Sequence, residues 1–188
     1  MVVVKHRMSE TGISIDSSLP LGWEPESAPS AAITELRCQS NIALMQALTT
    51  IESSAQDHEH NMPEAVRKSL ERVESKLDVL LLLVAKLTRE AIELPPEKPV
   101  NLHPDRITWQ ETSATPPKVS QTLLIRLFLS PRIPQPLLLP VTVCEVIPQT
   151  EGVRVIADFC EISEESMEWI TRTIFRYHRR AVQASRQP

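Results

Sequence analysis

A heptad repeat in the middle of the chain restricts the possible fold more than any other feature of the sequence. Between residues 64 and 94, apolar side chains recur at alternating steps of four and three residues without a break. They are Val66, Leu70, Val73, Leu77, Leu80, Val84, Leu87, Ala91 and Leu94. On a helix this spacing produces a continuous apolar seam about 45 Å long. A small domain does not need so long a straight seam for its own core, so the repeat predicts an oligomerisation helix over residues 64–94.

The residues beside the seam indicate how many helices meet there. Two-stranded coiled coils favour β-branched residues at position a and leucine at position d, whereas the first heptads here have nearly the reverse order. Leu81 and Leu83 flank the seam where a dimer would carry charges. A face this wide indicates a bundle of three or more helices, and we expect a homotetramer. The alternative is a long core helix packed within one chain.

Residues 30–95 as a whole have the pattern of a helical hairpin. The pattern from Ala31 to about residue 53 is helical, and a short connection leads from there to the heptad helix. Pro95 and Pro96 end that helix abruptly, because proline has no amide hydrogen to donate. The apolar side chains on one side of the first helix are Ile33, Leu36, Leu44, Leu48 and Ile51. We expect this side to pack against the seam.

After Pro96 the pattern changes to β-structure. Apolar and polar residues alternate in segments such as 123–129 and 153–159, which is the period of half-buried strands. The predicted strands are Val100–Thr112, Val119–Leu129, Leu137–Val146 and Val153–Ile162. Short strands joined by proline-rich turns indicate a small antiparallel barrel, and a helix from Ser163 to about Ala184 follows it.

The predicted fold class is therefore α+β, with a small barrel, a C-terminal helix and a long helical hairpin. Residues 1–29 are an N-terminal segment that can contribute a barrel strand. Residues 30–95 are the hairpin with its coiled-coil helix, and residues 96–188 are the barrel and the last helix.

The composition argues against several classes of function. A net charge of −4 gives no basic field for nucleic acid. The three cysteines lack CxxC spacing, which fits a cytoplasmic protein without a disulfide framework or zinc finger. No apolar run is long enough to span a bilayer, and neither catalytic signatures nor glycine-rich phosphate loops occur. We expect no enzyme, no metal and no cofactor; an enzyme with an unrecognised cleft is the remaining alternative.

The end of the chain resembles PilZ domains, the bacterial receptor modules for cyclic di-GMP. The shared features are proline-broken strands, a strand that ends at Phe159, and an acidic-serine turn, Glu161–Glu165, that opens a terminal helix. The resemblance covers roughly residues 97–186, and residues 10–23 can supply the first strand. The whole layout is similar to atypical PilZ proteins in which long heptad helices assemble four chains. It implies a role in motility, biofilm and virulence regulation through contacts with an unidentified protein partner.

The nucleotide motifs of the PilZ family are degenerate in this chain. The family binds cyclic di-GMP with an RxxxR segment before the barrel and a (D/N)xSxxG segment in the first strands. Asn101 matches the second motif, but His103 replaces its serine, Arg106 replaces its glycine, and no RxxxR lies upstream. Arginine pairs bind phosphates and stack on bases, and glycine allows a close approach that arginine prevents. We expect weak or no binding of cyclic di-GMP; the alternative is a working receptor with altered contacts.

Overall fold

Six strands and two long helices make up most of the chain that the structure describes. A computed structural model describes residues 13–53, 94–130, 133 and 135–184, together with isolated helical positions between residues 69 and 83. In chain order the elements are β1 (Ile15–Pro25), α1 (Ala31–Ser53), β2 (Glu97–Leu102), β3 (Arg106–Glu111), β4 (Thr122–Leu127), β5 (Leu137–Pro148), β6 (Val153–Phe159) and α2 (Glu164–Ala184). The predicted antiparallel barrel with a C-terminal helix is confirmed.

The strands close into a barrel in the order β1-β2-β3-β6-β5-β4. β1 completes the closure because its first half pairs with β2 and its second half, from Leu21 opposite Leu127, pairs with β4. Successive side chains on a strand point to opposite faces, so every second residue enters the barrel. The largest side chains fully buried there include Leu21, Leu102, Ile107, Trp109, Ile125 and Leu139.

The segment that the sequence predicted as one strand, Val100–Thr112, is two strands, β2 and β3. They are joined by a turn at residues 103–105, where the amide of His103 donates to the carbonyl of Arg106 at 2.9 Å. Pro104 lies in this turn and has no amide hydrogen for a sheet ladder. The prediction of a single strand was wrong because the alternating pattern continues on both sides of the turn.

Helix α1 packs on the barrel through a face that differs from the predicted one. Its buried residues are Cys38, Asn41, Leu44, Met45 and Leu48. The side-chain amide of Asn41 donates to the carbonyl of Leu138 at 2.8 Å, and its oxygen accepts from the Leu138 amide at 2.9 Å. These bonds provide partners for the backbone amide and carbonyl of Leu138, which lies in the part of β5 before the pairing with β6 begins. Of the predicted apolar side, Leu44 and Leu48 are buried, but Ile33 and Leu36 are 45% and 67% exposed, so the prediction was wrong at these two positions.

Helix α2 begins where its cap residue predicts. The Ser163 hydroxyl accepts from the Ser166 amide at 3.2 Å, which satisfies one of the free donors at the start of the helix. Ile170 and Ile174 are buried in the same core cluster as Leu44 and Leu48 of α1. The two helices therefore cover the barrel side by side.

The heptad segment is described at only some of its positions. Residues 69, 72, 73, 75–77, 79, 80 and 83 are helical. Val73 and Leu77 are each 52% exposed, and Leu80 is 57% exposed in the single chain. Leu94 is not helical, because the residue before a proline is disfavoured in the helical conformation, so the predicted helix end was placed too late. Outside the described residues lie Val66, Leu70, Leu81, Val84, Leu87 and Ala91.

Candidate functional site

A groove of about 370 Å³ crosses the outer face of β1, β2, β3 and β6. Strand register builds it, because Asp16 lies opposite Asn101 and Asn101 lies opposite Thr108 on neighbouring strands. In the next row of outward positions, Gln110 of β3 lies opposite Arg154 of β6. The polar residues that line the groove are Asp16, Ser17, Ser18, Asn101, Thr108, Gln110, Gln149 and Arg154. Its volume is within the range of ligand pockets, roughly 300–1,000 Å³.

One end of the groove is anionic. The side-chain amide of Asn101 donates to the carboxylate of Asp16 and, at 3.2 Å, to the hydroxyl of Ser14. This amide is therefore held by β1, and the carboxylate beside it repels a phosphate at close range. Asp16 was not predicted as a site residue, because only the pairing of β1 with β2 brings it to Asn101, 85 residues away along the chain.

The other two motif residues stand outside the groove. His103 lies in the turn between β2 and β3, and Arg106 begins β3; neither lines the pocket. The guanidinium of Arg106 lies 3.6 Å from the Asp105 carboxylate and 3.7 Å from that of Asp158. Burial lowers the pKa of His103, with Asp105 opposing this shift and Arg106 adding to it, so the imidazole is neutral at pH 7. The three predicted positions do not form one phosphate site.

The opposite end of the groove is cationic. Arg154 of β6 is exposed, and within the residues that the structure describes it is the only cation that lines the groove. It has no ion pair in that part of the chain, in contrast to Arg106. The amide of Gln149 donates to the carbonyl of Gly152 at 3.1 Å in the turn that precedes β6, and the side chain of Gln110 donates to the carbonyl of Glu151 at 2.9 Å. These bonds hold the turn against β3, beside Arg154.

A buried carboxylate anchors the strands that carry the groove. Glu111, at the end of β3, has a side chain only 2% exposed. It accepts hydrogen bonds from Lys98 Nζ at 2.7 Å and from Trp23 Nε1 at 2.5 Å, which ties β3 to β2 and β1. The other donors within reach are Trp109 Nε1 and the amides of Thr112 and Ser113. Burial alone would raise the pKa of Glu111, but these hydrogen bonds lower it to about 2.

The described residues contain no group of three or more histidine, cysteine, aspartate or glutamate side chains that could hold a metal ion. No helix in that part of the chain has both the length and the apolar character needed to cross a membrane.

Comparisons with known proteins agree with this fold. A family model described as an atypical PilZ domain, cyclic di-GMP receptor, matches residues 45–187. A solved structure of a pathogenic protein from Xanthomonas campestris, described as a new tetrameric PilZ domain self-assembled via an unusual helical bundle, is similar with a TM-score of 0.72. The two chains are 22% identical, and the similarity covers 93% of this chain and 92% of the other. No curated protein matches the chain. Since the family model spans more than half of the chain, including β2 to β6 and the C-terminal helix, the chain belongs to the atypical PilZ domain family.

Proposed function

We propose that this protein is a non-enzymatic PilZ-type signalling scaffold of the cytoplasm. It assembles with copies of itself through its heptad helices and acts through contacts with other proteins in motility and virulence regulation. One observation carries the assembly: Val73, Leu77 and Leu80 leave about half of their surface exposed in the single chain. A regular stripe of large apolar side chains is stable in water only when a partner covers it.

Helix α1 supports an intermolecular partner for the seam. Its buried face is already occupied by the barrel and α2, so that face is not free to cover the heptad helix. Its outer face has almost no charge: among the exposed positions from residue 31 to 50, Glu35 is the only charged residue. The exposed apolar positions there include Ala32, Ile33, Leu36, Ala43 and Ala47. Small and apolar side chains of this kind suit close packing against another helix.

Helix α2 shows what a solvated helix of this protein is like. Its exposed positions include Glu165, Glu168, Arg172 and Arg179, which is the charged surface expected in water. Because the exposed side of α1 is largely uncharged and that of α2 is charged, we assign residues 30–95 to an assembly module. Residues 96–188, completed by β1 from residues 1–29, form the barrel module.

Four copies are the most consistent number. The seam is wider than that of a two-stranded coil, because leucines flank its a and d positions. The Xanthomonas protein with the same barrel is described as tetrameric and self-assembled via a helical bundle. Both points support a homotetramer built on residues 64–94.

The groove argues against tight binding of cyclic di-GMP. Asp16 places a carboxylate beside Asn101, Arg106 is engaged by two aspartates, and His103 is neutral. Arg154 is the only guanidinium that lines the groove among the described residues, and it cannot by itself provide the paired contacts that two phosphates need. The second candidate, a receptor with altered contacts, is favoured by Arg154 and by the description of the family as cyclic di-GMP receptors.

Isothermal titration of the full chain with cyclic di-GMP separates the two candidates. We expect no saturable heat at micromolar concentrations of nucleotide, because repulsion from Asp16 and the missing arginine pair remove the main binding contacts. GMP serves as the control for weak general attraction of a nucleotide to Arg154. Saturable binding of cyclic di-GMP at micromolar or tighter affinity would establish the receptor instead.

A further inference from the structure

We propose that the groove binds an extended peptide segment of a protein partner and holds a carboxylate of that segment on Arg154. This inference rests on the proposed function, since it names the surface through which the scaffold would contact another protein. Three properties of the groove carry it: the separation of its charges, the chemistry of its walls and its floor.

The charges of the groove lie at opposite ends. Asp16 and Asn101 belong to β1 and β2 at one end, and Arg154 belongs to β6 at the other, with β3 between them. A polyanion would meet the Asp16 carboxylate wherever it extended from Arg154 across the strands. A ligand with one carboxylate avoids this, because a guanidinium binds one carboxylate in a bidentate geometry and leaves the other end to uncharged groups.

The walls between the two ends carry uncharged hydrogen-bonding groups. Thr108, Gln110 and Gln149 offer hydroxyl and amide groups that both donate and accept hydrogen bonds. The Gln110 nitrogen donates to the carbonyl of Glu151, so the side-chain oxygen is the acceptor that Gln110 can offer to a ligand. An extended peptide presents alternating amide and carbonyl groups along its length, so it matches such walls better than a small anion does.

The floor of the groove includes the ring of Pro99, whereas Val100 and Trp109, whose side chains are buried inside the barrel, contribute only backbone atoms to it. This surface can accept the aliphatic part of a side chain next to the carboxylate. The volume of about 370 Å³ is enough for a few residues and too small for a folded element. The ligand class is therefore a short extended segment with one acidic group and an adjacent apolar side chain.

Selection from a random dodecapeptide phage library on the full-length protein tests this inference. We expect the enriched peptides to contain aspartate or glutamate next to an apolar residue. Synthetic copies should bind at least ten-fold more weakly to Arg154→Gln than to the natural protein. The matched control is Arg126→Gln, which removes an exposed arginine of β4 on another part of the barrel and should leave the affinity unchanged. Circular dichroism should show that both variants remain folded.

Further arms identify the group that is bound. A peptide whose acidic residue is changed to the corresponding amide should lose binding. A peptide whose only carboxylate is at its C-terminus tests whether Arg154 binds a terminal carboxylate or a side-chain carboxylate. Selection without enrichment, or peptides that bind Arg154→Gln as well as the natural protein, would overturn the inference. Light scattering on the same samples distinguishes a failure of peptide binding from a failure of the proposed assembly, because the oligomeric mass should be equal in the natural protein and in both variants.

Discussion

Replacing Leu77 and Leu80 with aspartate should convert the assembled protein to single chains while the barrel stays folded. The two residues occupy successive a and d positions of the seam, and both are more than half exposed in the single chain. In an assembly the new carboxylates would be buried without partners, which costs several kcal/mol at each site. In the single chain they meet water, so the fold of the barrel should lose little.

A matched pair of substitutions separates burial from charge. Arg72→Asp with Ser75→Asp places two carboxylates at c and f positions, on the side of the helix opposite the seam. Size-exclusion chromatography with light scattering should show single chains for the seam variant and the unchanged assembly for the control. Tryptophan fluorescence, to which Trp109 inside the barrel contributes together with Trp23 and Trp169, should be the same in both. An unchanged mass for the seam variant would mean that these leucines are not in an interface.

Replacing Glu111 with glutamine should lower the free energy of unfolding of the barrel by about 3 kcal/mol, because removing one member of a buried ion pair leaves the other charge buried and unpaired. Lys98, whose side chain is only 13% exposed, would lose the carboxylate 2.7 Å away. The amides of Thr112 and Ser113 and the indole of Trp23 would also lose a charged acceptor. Denaturant unfolding at pH 7, followed by tryptophan fluorescence, measures the difference.

The same residue predicts a pH dependence of stability. The pKa of Glu111 is about 2 in the folded protein and has an ordinary value of 4.5. A lowered folded pKa means that the contribution is fully present above pH 4.5 and is lost as the pH falls from 4.5 toward 2. Across this window, the free energy of unfolding of the natural protein should therefore fall by about 3 kcal/mol relative to that of Glu111→Gln. The gap in unfolding free energy between the two proteins should narrow steadily as the solution is acidified.

The double variant Glu111→Gln with Lys98→Met is the control for the ion pair. It leaves no unpaired charge and keeps a side-chain oxygen as the acceptor for the amides of Thr112 and Ser113, so it should be more stable than Glu111→Gln alone. Equal stability of the natural protein and Glu111→Gln at both pH 7 and pH 3 would show that the carboxylate does not anchor these strands.

Local patterns in the sequence predict much of the barrel and the last helix. The alternation in residues 153–159 and the cap at Ser163 need only neighbouring residues to be interpreted, and β6 and α2 lie where they indicate. Glu111 could also have been singled out, because period two places it on the inward face together with Trp109. A charged residue at an inward position predicts a buried partner.

Local sequence patterns do not predict contacts between distant parts of the chain. Asn41 lies within the buried face of α1 because Leu138, 97 residues later, offers it a backbone amide and carbonyl. The same holds for Asp16, which reaches Asn101 only through the pairing of β1 with β2. The motif residue Asn101 was found from the sequence, but the groove around it depends on four strands brought together by the barrel.

The mass of the natural protein in solution tests the central claim most directly. Light scattering at micromolar concentration should give four times the chain mass of 21.2 kDa. A mass equal to one chain at that concentration would contradict self-assembly through the heptad helix.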